Sequence, residues 1–120
     1  MALTKEEKRQ RRKVRIRMKI NGTAQKPRVS VFRSNQHLYV QVIDDENNRV
    51  MSAVSTVSKE VRSQMEGLKK TDQAKKLGSK LAEICKSQGI EQAVFDRNGY
   101  KFHGRVKTLV EAAKEKGLKF

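Results

Sequence analysis

The sequence predicts a single α/β domain with the element order βββαβα, preceded by a basic arm. Apolar residues alternate with polar ones in three stretches after Pro27, and two later stretches repeat apolar residues at helical spacing. A short continuous apolar run lies between those two helical stretches. The chain has 120 residues, enough for one modest core. We therefore expect an arm over residues 1–26 and a globular body over residues 27–120.

The alternating stretches predict three short strands. Their apolar positions are Val29 and Val31, then Leu38, Val40 and Val42, then Val50 and Val54. Four polar residues separate each strand from the next, at 34–37 and 45–48, a length typical of antiparallel hairpins. The polar stretch 55–70 has too few apolar positions for a regular buried element. We therefore predict an antiparallel meander followed by a mobile loop.

Two helices and a fourth strand complete the predicted body. The first helix begins at Thr71-Asp72 and ends before Gly89, and the second ends at Gly117. Their apolar faces comprise Ala74, Leu77, Gly78, Leu81, Ile84 and Cys85 in the first helix, and Val106, Leu109, Val110 and Ala113 in the second. The run 93–95 between them is typical of a covered strand reached through a helical crossover, which makes it parallel to its neighbour. Leu118 and Phe120 are expected to pack back onto the body.

The arm carries most of the net charge. Residues 5–33 contain twelve Lys or Arg and two acidic residues, so they hold ten of the fifteen net positive charges. Such a density is self-repelling unless a polyanion neutralises it, and nucleic acid is the obvious polyanion. Phosphate contacts of this kind supply affinity without reading sequence. A solvated basic tail without a specific partner is the alternative.

The arm lacks the pattern of a stable helix. Thr4 and Glu7 could form a capping box, but no apolar stripe follows at helical spacing. We therefore predict that the arm is disordered in the free protein and becomes ordered on its partner. A membrane-surface helix is disfavoured because the apolar residues alternate rather than share one helical face: Val14, Ile16, Met18 and Ile20.

Two loops of the body are rich in groups that recognise RNA. The first, residues 33–37, offers a cation, hydroxyl and amide groups and an imidazole, although a generic polar turn has the same composition. The second, residues 95–105, runs from the carboxyl end of a strand to a helix N-terminus, a position that favours anions. The alternative for the second loop is structural: Tyr100 and Phe102 fill the core, and Asp96 pairs with Arg97 or caps the helix.

An enzymatic role is disfavoured. Four carboxylates at predicted strand ends could hold metal ions for phosphodiester hydrolysis: Asp44, Asp45, Glu46 and Asp96. The first three are adjacent in one hairpin turn, where acidic residues are common. The single Cys85 lies on a predicted helix face and excludes an internal disulfide. Neither His has a nucleophile in a recognisable pattern. We expect no metal, cofactor, small-molecule substrate or membrane span, and a reducing cytoplasmic setting.

Several segments closely resemble the family of bacterial large-subunit ribosomal protein eighteen. They are the basic arm 9–19, the segment 26–35 (Lys-Pro-Arg-Val-Ser-Val-Phe-Arg-Ser-Asn), its continuation 37–43 (His-Leu-Tyr-Val-Gln-Val-Ile), the segment 95–106 and the ending 117–120 (Gly-Leu-Lys-Phe). The likeness is to the short bacterial form. It implies a ribonuclease H-like translational-machinery fold whose fourth strand lies parallel to the first. Asn98 stands where the family often has glycine.

The resemblance also implies a non-catalytic function. The family binds 5S ribosomal RNA and helps to attach it to 23S ribosomal RNA at the central protuberance of the large ribosomal subunit, with large-subunit ribosomal protein five as neighbour. The RNA-binding residues carried over are Arg9, Arg11, Arg12, Lys13, Arg15, Arg17, Lys19, Arg33, Ser34, Asn35, His37, Arg97, Tyr100, His103, Gly104 and Arg105. A general basic nucleic-acid-binding protein or RNA chaperone is the alternative.

Overall fold

The computed structural model describes residues 2–59 and 61–120. In chain order its elements are α1 (Lys5–Lys19), β1 (Arg28–Arg33), β2 (Leu38–Asp44), β3 (Arg49–Ser55), α2 (Arg62–Met65), α3 (Lys70–Ser87), β4 (Val94–Asp96) and α4 (Arg105–Glu115). Met1 and Glu60, which fall within the predicted arm and the predicted loop, lie outside the described residues.

The four strands form one mixed sheet in the order β3-β2-β1-β4. Strand β2 is antiparallel to both β1 and β3, and Val31 lies opposite Val40. Strand β4 is parallel to β1, with Phe95 opposite Val29. These pairings confirm the predicted meander and the parallel fourth strand. The wider likeness to ribonuclease H stays a prediction.

The core lies between one face of the sheet and the two long helices. The inward side chains of β1, β2 and β3 and the apolar faces of α3 and α4 form a single buried cluster. The helices cross closely at Gly78, where a Cβ atom would lie 2.2 Å from the Leu109 carbonyl oxygen. At the C-terminus, Leu118 is buried and the Phe120 ring packs edge-on against Phe95 at 5.7 Å. The predicted helix faces and C-terminal packing are therefore confirmed.

The prediction that residues 55–70 hold no regular buried element is wrong in the central part of this segment. Val61 and Met65, four residues apart, lie on the same side of the single turn of α2, and both are buried in the core. Helix α3 begins at Lys70, one residue before the predicted start. Two apolar residues at helical spacing anchor this segment to the core, although most of its other residues are exposed.

The arm contains a helix, which its hydrophobic pattern did not predict. The Thr4 hydroxyl accepts a hydrogen bond from the Glu7 backbone N–H at 3.1 Å, so the predicted cap is present. None of the residues of α1 is buried. The order of residues 1–26 in the free protein in solution stays a prediction. None of the helices in the described part of the chain combines the length and apolar character that crossing a bilayer requires.

Candidate nucleic-acid interface

The loop that follows β4 has a tightly specified backbone. Asn98 and Gly99 both have positive φ, 55° and 78°, in the left-handed region that asparagine tolerates and glycine prefers. The Asp96 carboxylate accepts a hydrogen bond from the Asn98 backbone N–H at 2.8 Å, and Arg97 donates to the Tyr100 carbonyl at 3.0 Å. Asn98 therefore supports the turn without a glycine.

Helix α1 docks on this loop through its arginines. The Arg9 guanidinium donates to the Asn98 carbonyl oxygen at 2.7 Å, and the Arg12 guanidinium donates to the Gly99 carbonyl oxygen at 2.8 Å. One face of α1 is thus attached to the body by charge-assisted hydrogen bonds to backbone carbonyls. A search for apolar stripes does not detect such an attachment.

A buried carboxylate links the arm to the sheet. Asp96, at the end of β4, is fully buried and accepts from Arg28 at 2.8 Å and from Arg17 at 3.3 Å. Arg28 also forms a two-pronged ion pair with Asp45, with both distances 3.0 Å. Asp96 therefore pairs with Arg28 and Arg17, not with Arg97, and the N-cap residue of α4 is Gly104, with no side-chain cap.

The same ion pairs determine the protonation of Asp45. Hydrogen bonds from Arg28 hold the pKa of Asp45 below its ordinary value of 3.8, and the Gly22 backbone N–H acts in the same direction. Asp45 also raises the pKa of Arg28. Both groups stay charged in the folded protein at neutral pH. Arg28 therefore has a structural role, as the partner of two carboxylates of the body.

The β1–β2 hairpin tip lies next to the same loop. Ser34 and His37 close the turn, with the Ser34 backbone N–H donating to the His37 carbonyl at 2.9 Å. Arg105, at the start of α4, donates to the Ser34 carbonyl oxygen at 2.8 Å. The His37 ring lies 3.0 Å from the Thr56 hydroxyl, and Lys70 donates to the Asn35 carbonyl. The arm, the loop and the hairpin therefore form one continuous surface.

Tyr100 joins the three segments. Its ring is buried between two guanidinium groups, with Arg9 at 4.7 Å and Arg33 at 5.0 Å from the ring centroid. Its hydroxyl lies 3.3 Å from the Arg33 carbonyl oxygen. Tyr100 therefore occupies the structural position considered as the alternative for this loop, whereas Phe102 is 45% exposed.

The predicted RNA-binding residues divide by exposure. The exposed ones are Arg11, Arg15, Arg17, Lys19, Arg33, Ser34, Asn35, His103 and Gly104. The half-buried ones are Arg9, Arg12, Lys13, His37, Arg97 and Arg105, and Tyr100 is buried. Apart from Arg17, which pairs with Asp96, the exposed arginines of the arm are Arg11 and Arg15, and Arg15 lines a cleft with Arg97 of the loop. These exposed cations can meet phosphates, while Arg9 and Arg12 attach the helix to the loop.

Like charges crowd the surface. Burial lowers the pKa of Lys13, and the charges of Arg17 and Arg9 lower it further. Burial likewise lowers the pKa of Arg105, and Arg33 adds to the effect. An anion bound between such groups relieves their mutual repulsion, so the surface is suited to phosphate.

The carboxylates considered for catalysis have structural partners. Asp45 and Asp96 pair with arginines as described, and Asp44 accepts from the Asn47 side chain at 2.7 Å and from the Glu46 backbone at 3.1 Å. Among residues 2–59 and 61–120, no three His, Cys, Asp or Glu side chains are grouped so as to hold a metal ion.

Arg28 is the main structural residue of this region that the sequence did not single out. A signal was present, because alternation in β1 places Arg28 on the face opposite Val29, the same face as Asp96 in the parallel strand β4. The aromatic residues Phe32 and Tyr39 on that face also received no role.

Comparison with known proteins assigns the family. Residues 3–120 match the model of ribosomal L18 of archaea, bacteria, mitochondria and chloroplasts. The chain belongs to this ribosomal L18 family. Large ribosomal subunit protein uL18 of Sorangium cellulosum is 50% identical over 112 residues, which are 93% of this chain and 94% of that protein. The uL18 protein of Myxococcus xanthus is 46% identical, and the match covers 98% of this chain and 98% of that protein. The uL18 protein of Bacillus cereus is 47% identical, and the match covers 93% of this chain and 92% of that protein.

The L18 assignment confirms the resemblance and the general function. The chain is a structural component of the large ribosomal subunit rather than an enzyme, and its place in bacteria is the cytoplasmic ribosome. Association with ribosomal RNA follows from this membership. The basic surface formed by the arm, the loop and the hairpin is the part of the fold best suited to that association.

Proposed function

We propose that the chain binds 5S ribosomal RNA and helps to attach it to 23S ribosomal RNA at the central protuberance, beside large-subunit ribosomal protein five. The observation that supports this most is the continuity of the basic surface. Arg9 ties the arm to the loop, and Arg105 ties the start of α4 to the hairpin. A surface on which the loop and the hairpin hold their shape, and to which the arm adds cations, can recognise a folded RNA by shape, which is how proteins commonly recognise structured RNA.

The segments have different roles in this proposal. The hairpin and the loop dock on a shaped, partly unpaired region of the RNA, and the exposed cations of α1 follow the neighbouring phosphates. Arg11, Arg15 and Lys19 are exposed, so they supply affinity that depends on salt. The body supplies selectivity because its polar groups are held in fixed positions.

Competition between RNAs tests this proposal. Labelled 5S ribosomal RNA is bound to the chain and displaced by unlabelled 5S RNA, an unrelated structured RNA or duplex DNA. We expect 5S RNA to compete best, and Arg33→Ala and Arg105→Ala to reduce its advantage. Lys114→Ala is the matched control, since Lys114 is an exposed cation near the far end of α4 from the loop.

Equal competition by all three nucleic acids would favour the alternative of a general basic nucleic-acid-binding protein or RNA chaperone. Unchanged selectivity for 5S RNA in both arginine variants would show that the hairpin and the start of α4 do not contribute to recognition. Attachment to 23S RNA is tested separately, by measuring whether the chain increases recovery of 23S fragments with immobilised 5S RNA.

A further inference from the structure

The sheet face opposite the long helices carries an exposed aromatic pair. Phe32 in β1 and Tyr39 in β2 lie directly opposite each other, with ring centroids 6.0 Å apart. They are 47% and 37% exposed, although their strand neighbours Val31 and Val40 are buried in the core. The arm contacts this face at the β4 end, through Asp96, and leaves the two rings accessible.

The pair extends a row of rings that is fixed at one end. The Tyr100 centroid lies 6.3 Å from that of Phe32, and Tyr100 is held by Arg9 and Arg33. The row therefore runs from a buried ring at the arm to an exposed ring on the inner strand β2, near the β1–β2 hairpin tip. Rings seated on paired strands have little freedom to lose when they bind a ligand.

Small and polar side chains border the open end of the row. Tyr39 lies opposite Ser55, and on the same face Gln41 lies opposite both Ser30 and Ala53. Cross-strand aromatic pairing stabilises a sheet and gives one reason for two adjacent rings. It does not require them to remain accessible beside a cluster of arginines.

We propose that Phe32 and Tyr39 form a stacking platform for unpaired bases of the bound RNA. Charge complementarity identifies this occupant, because the guanidinium groups of Arg9 and Arg33 lie over the Tyr100 ring at the fixed end of the row. Every base has an aromatic face and adjoins a phosphate, so a ring beside a guanidinium matches both parts of a nucleotide. This inference rests on the proposed function and names the part of the RNA that the sheet contacts.

The test replaces the rings while keeping strand-forming side chains. The variants are Phe32→Ile, Tyr39→Ile and the double variant, and Tyr39→Phe is the matched control that keeps a ring. We expect the affinity for 5S RNA to fall roughly tenfold for each lost ring, with the slope of log affinity against log salt unchanged. Tyr39→Phe should bind nearly as well as the original chain. Thermal unfolding of each variant shows that the fold is retained.

Tyrosine emission gives a second measurement. The chain has no Trp and two Tyr, of which Tyr100 is buried, so quenching on addition of a short single-stranded RNA reports mainly on Tyr39. We expect quenching in the original chain and little in Tyr39→Phe. If the double variant is unfolded, the RNA affinities of the single variants and the quenching of Tyr39 emission test the proposal.

The outcomes separate this inference from the proposed function. Wild-type affinity of the folded ring variants, or no quenching by RNA, would overturn the stacking platform while 5S selectivity could still hold. If the original chain showed no preference for 5S RNA, the proposed function would fail. The stacking platform would then be tested by the affinity of the same ring variants for single-stranded RNA.

Discussion

Gly99 is a residue at which the backbones of the arm and the body approach closely. A Cβ atom there would lie 2.3 Å from the Arg9 carbonyl oxygen, and its φ of 78° is one that side-chain-bearing residues rarely adopt. The position therefore needs glycine for two separate reasons, backbone conformation and close approach.

Comparing substitutions at Gly99 and Gly89 separates the effect of backbone conformation from the effect of close approach. Gly99→Ala should lower the free energy of unfolding by at least about 1 kcal/mol and should also weaken RNA binding, because α1 can no longer sit on the loop. Gly89→Ala is the matched control, since Gly89 has a φ of 76° but open space around its Cα. Urea unfolding and RNA titration measure both effects. Equal RNA affinity of the two variants would contradict the docking role of Gly99.

The Arg28–Asp45 ion pair predicts a specific acid sensitivity. The folded-state pKa of Asp45 is lowered, so its stabilising contribution is complete above the ordinary value of 3.8 and is lost as the pH falls through the folded value. Asp45→Asn should therefore be less stable at pH 6 and should lose less stability between pH 6 and pH 3 than the original chain does. Urea midpoints at both pH values measure this.

A matched control for acid sensitivity is Glu111→Gln. Glu111 is exposed and lies 3.9 Å from the Lys107 amine, a pair of the kind that contributes little. This variant should follow the original chain at both pH values. An Asp45→Asn variant as acid-sensitive as the original chain would count against the role assigned to the ion pair.

Helix α1 differs from the other long helices in how it is attached. Helices α3 and α4 bury apolar faces, whereas α1 buries no residue and is held by Arg9, Arg12 and Arg17. Nine like charges between residues 5 and 19 oppose the helix when no polyanion is present. The attachment is therefore expected to be weak without RNA and stronger when phosphates neutralise the outer side of the helix.

Circular dichroism tests the order of the arm. The difference in helical signal between the full chain and a chain lacking residues 1–20 should be small at low salt without RNA. It should rise towards that of a 15-residue helix when 5S RNA is present, after subtraction of the RNA spectrum. The shortened chain should still fold, because the buried Asp96 carboxylate still has an ion pair with Arg28 after Arg17 is removed. A full helical difference without RNA would contradict disorder in the free protein.

At the scale of the whole molecule, the body was predictable because its elements are specified locally. The alternation through Val29 to Val54 and the helical spacing of Leu77, Leu81 and Cys85 both reflect burial against one core. The docking of α1 was not predictable, because guanidinium groups bonded to backbone carbonyls leave no periodic signal. Helix α2 was missed since its burial depends on only two residues, Val61 and Met65.

The candidate site was predicted as segments rather than as a geometry. Sequence patterns identified the arm, the hairpin and the loop, but not which arginines point inward. Arg9 and Arg12 serve the fold, while Arg11 and Arg15 stay exposed, and adjacent residues of a helix differ in this way because they face different directions. Arg28 was overlooked because its two partners, Asp45 and Asp96, are distant in sequence.

A hydroxyl-radical footprint on 5S ribosomal RNA tests the central claim most directly. We predict one discrete protected region contacted by the hairpin and the loop, flanked by protections that disappear when residues 1–20 are removed. The central protections should persist in the shortened chain at low salt. Protection spread evenly along the RNA, or loss of every protection with the arm, would contradict an RNA-docking body with an affinity-bearing arm.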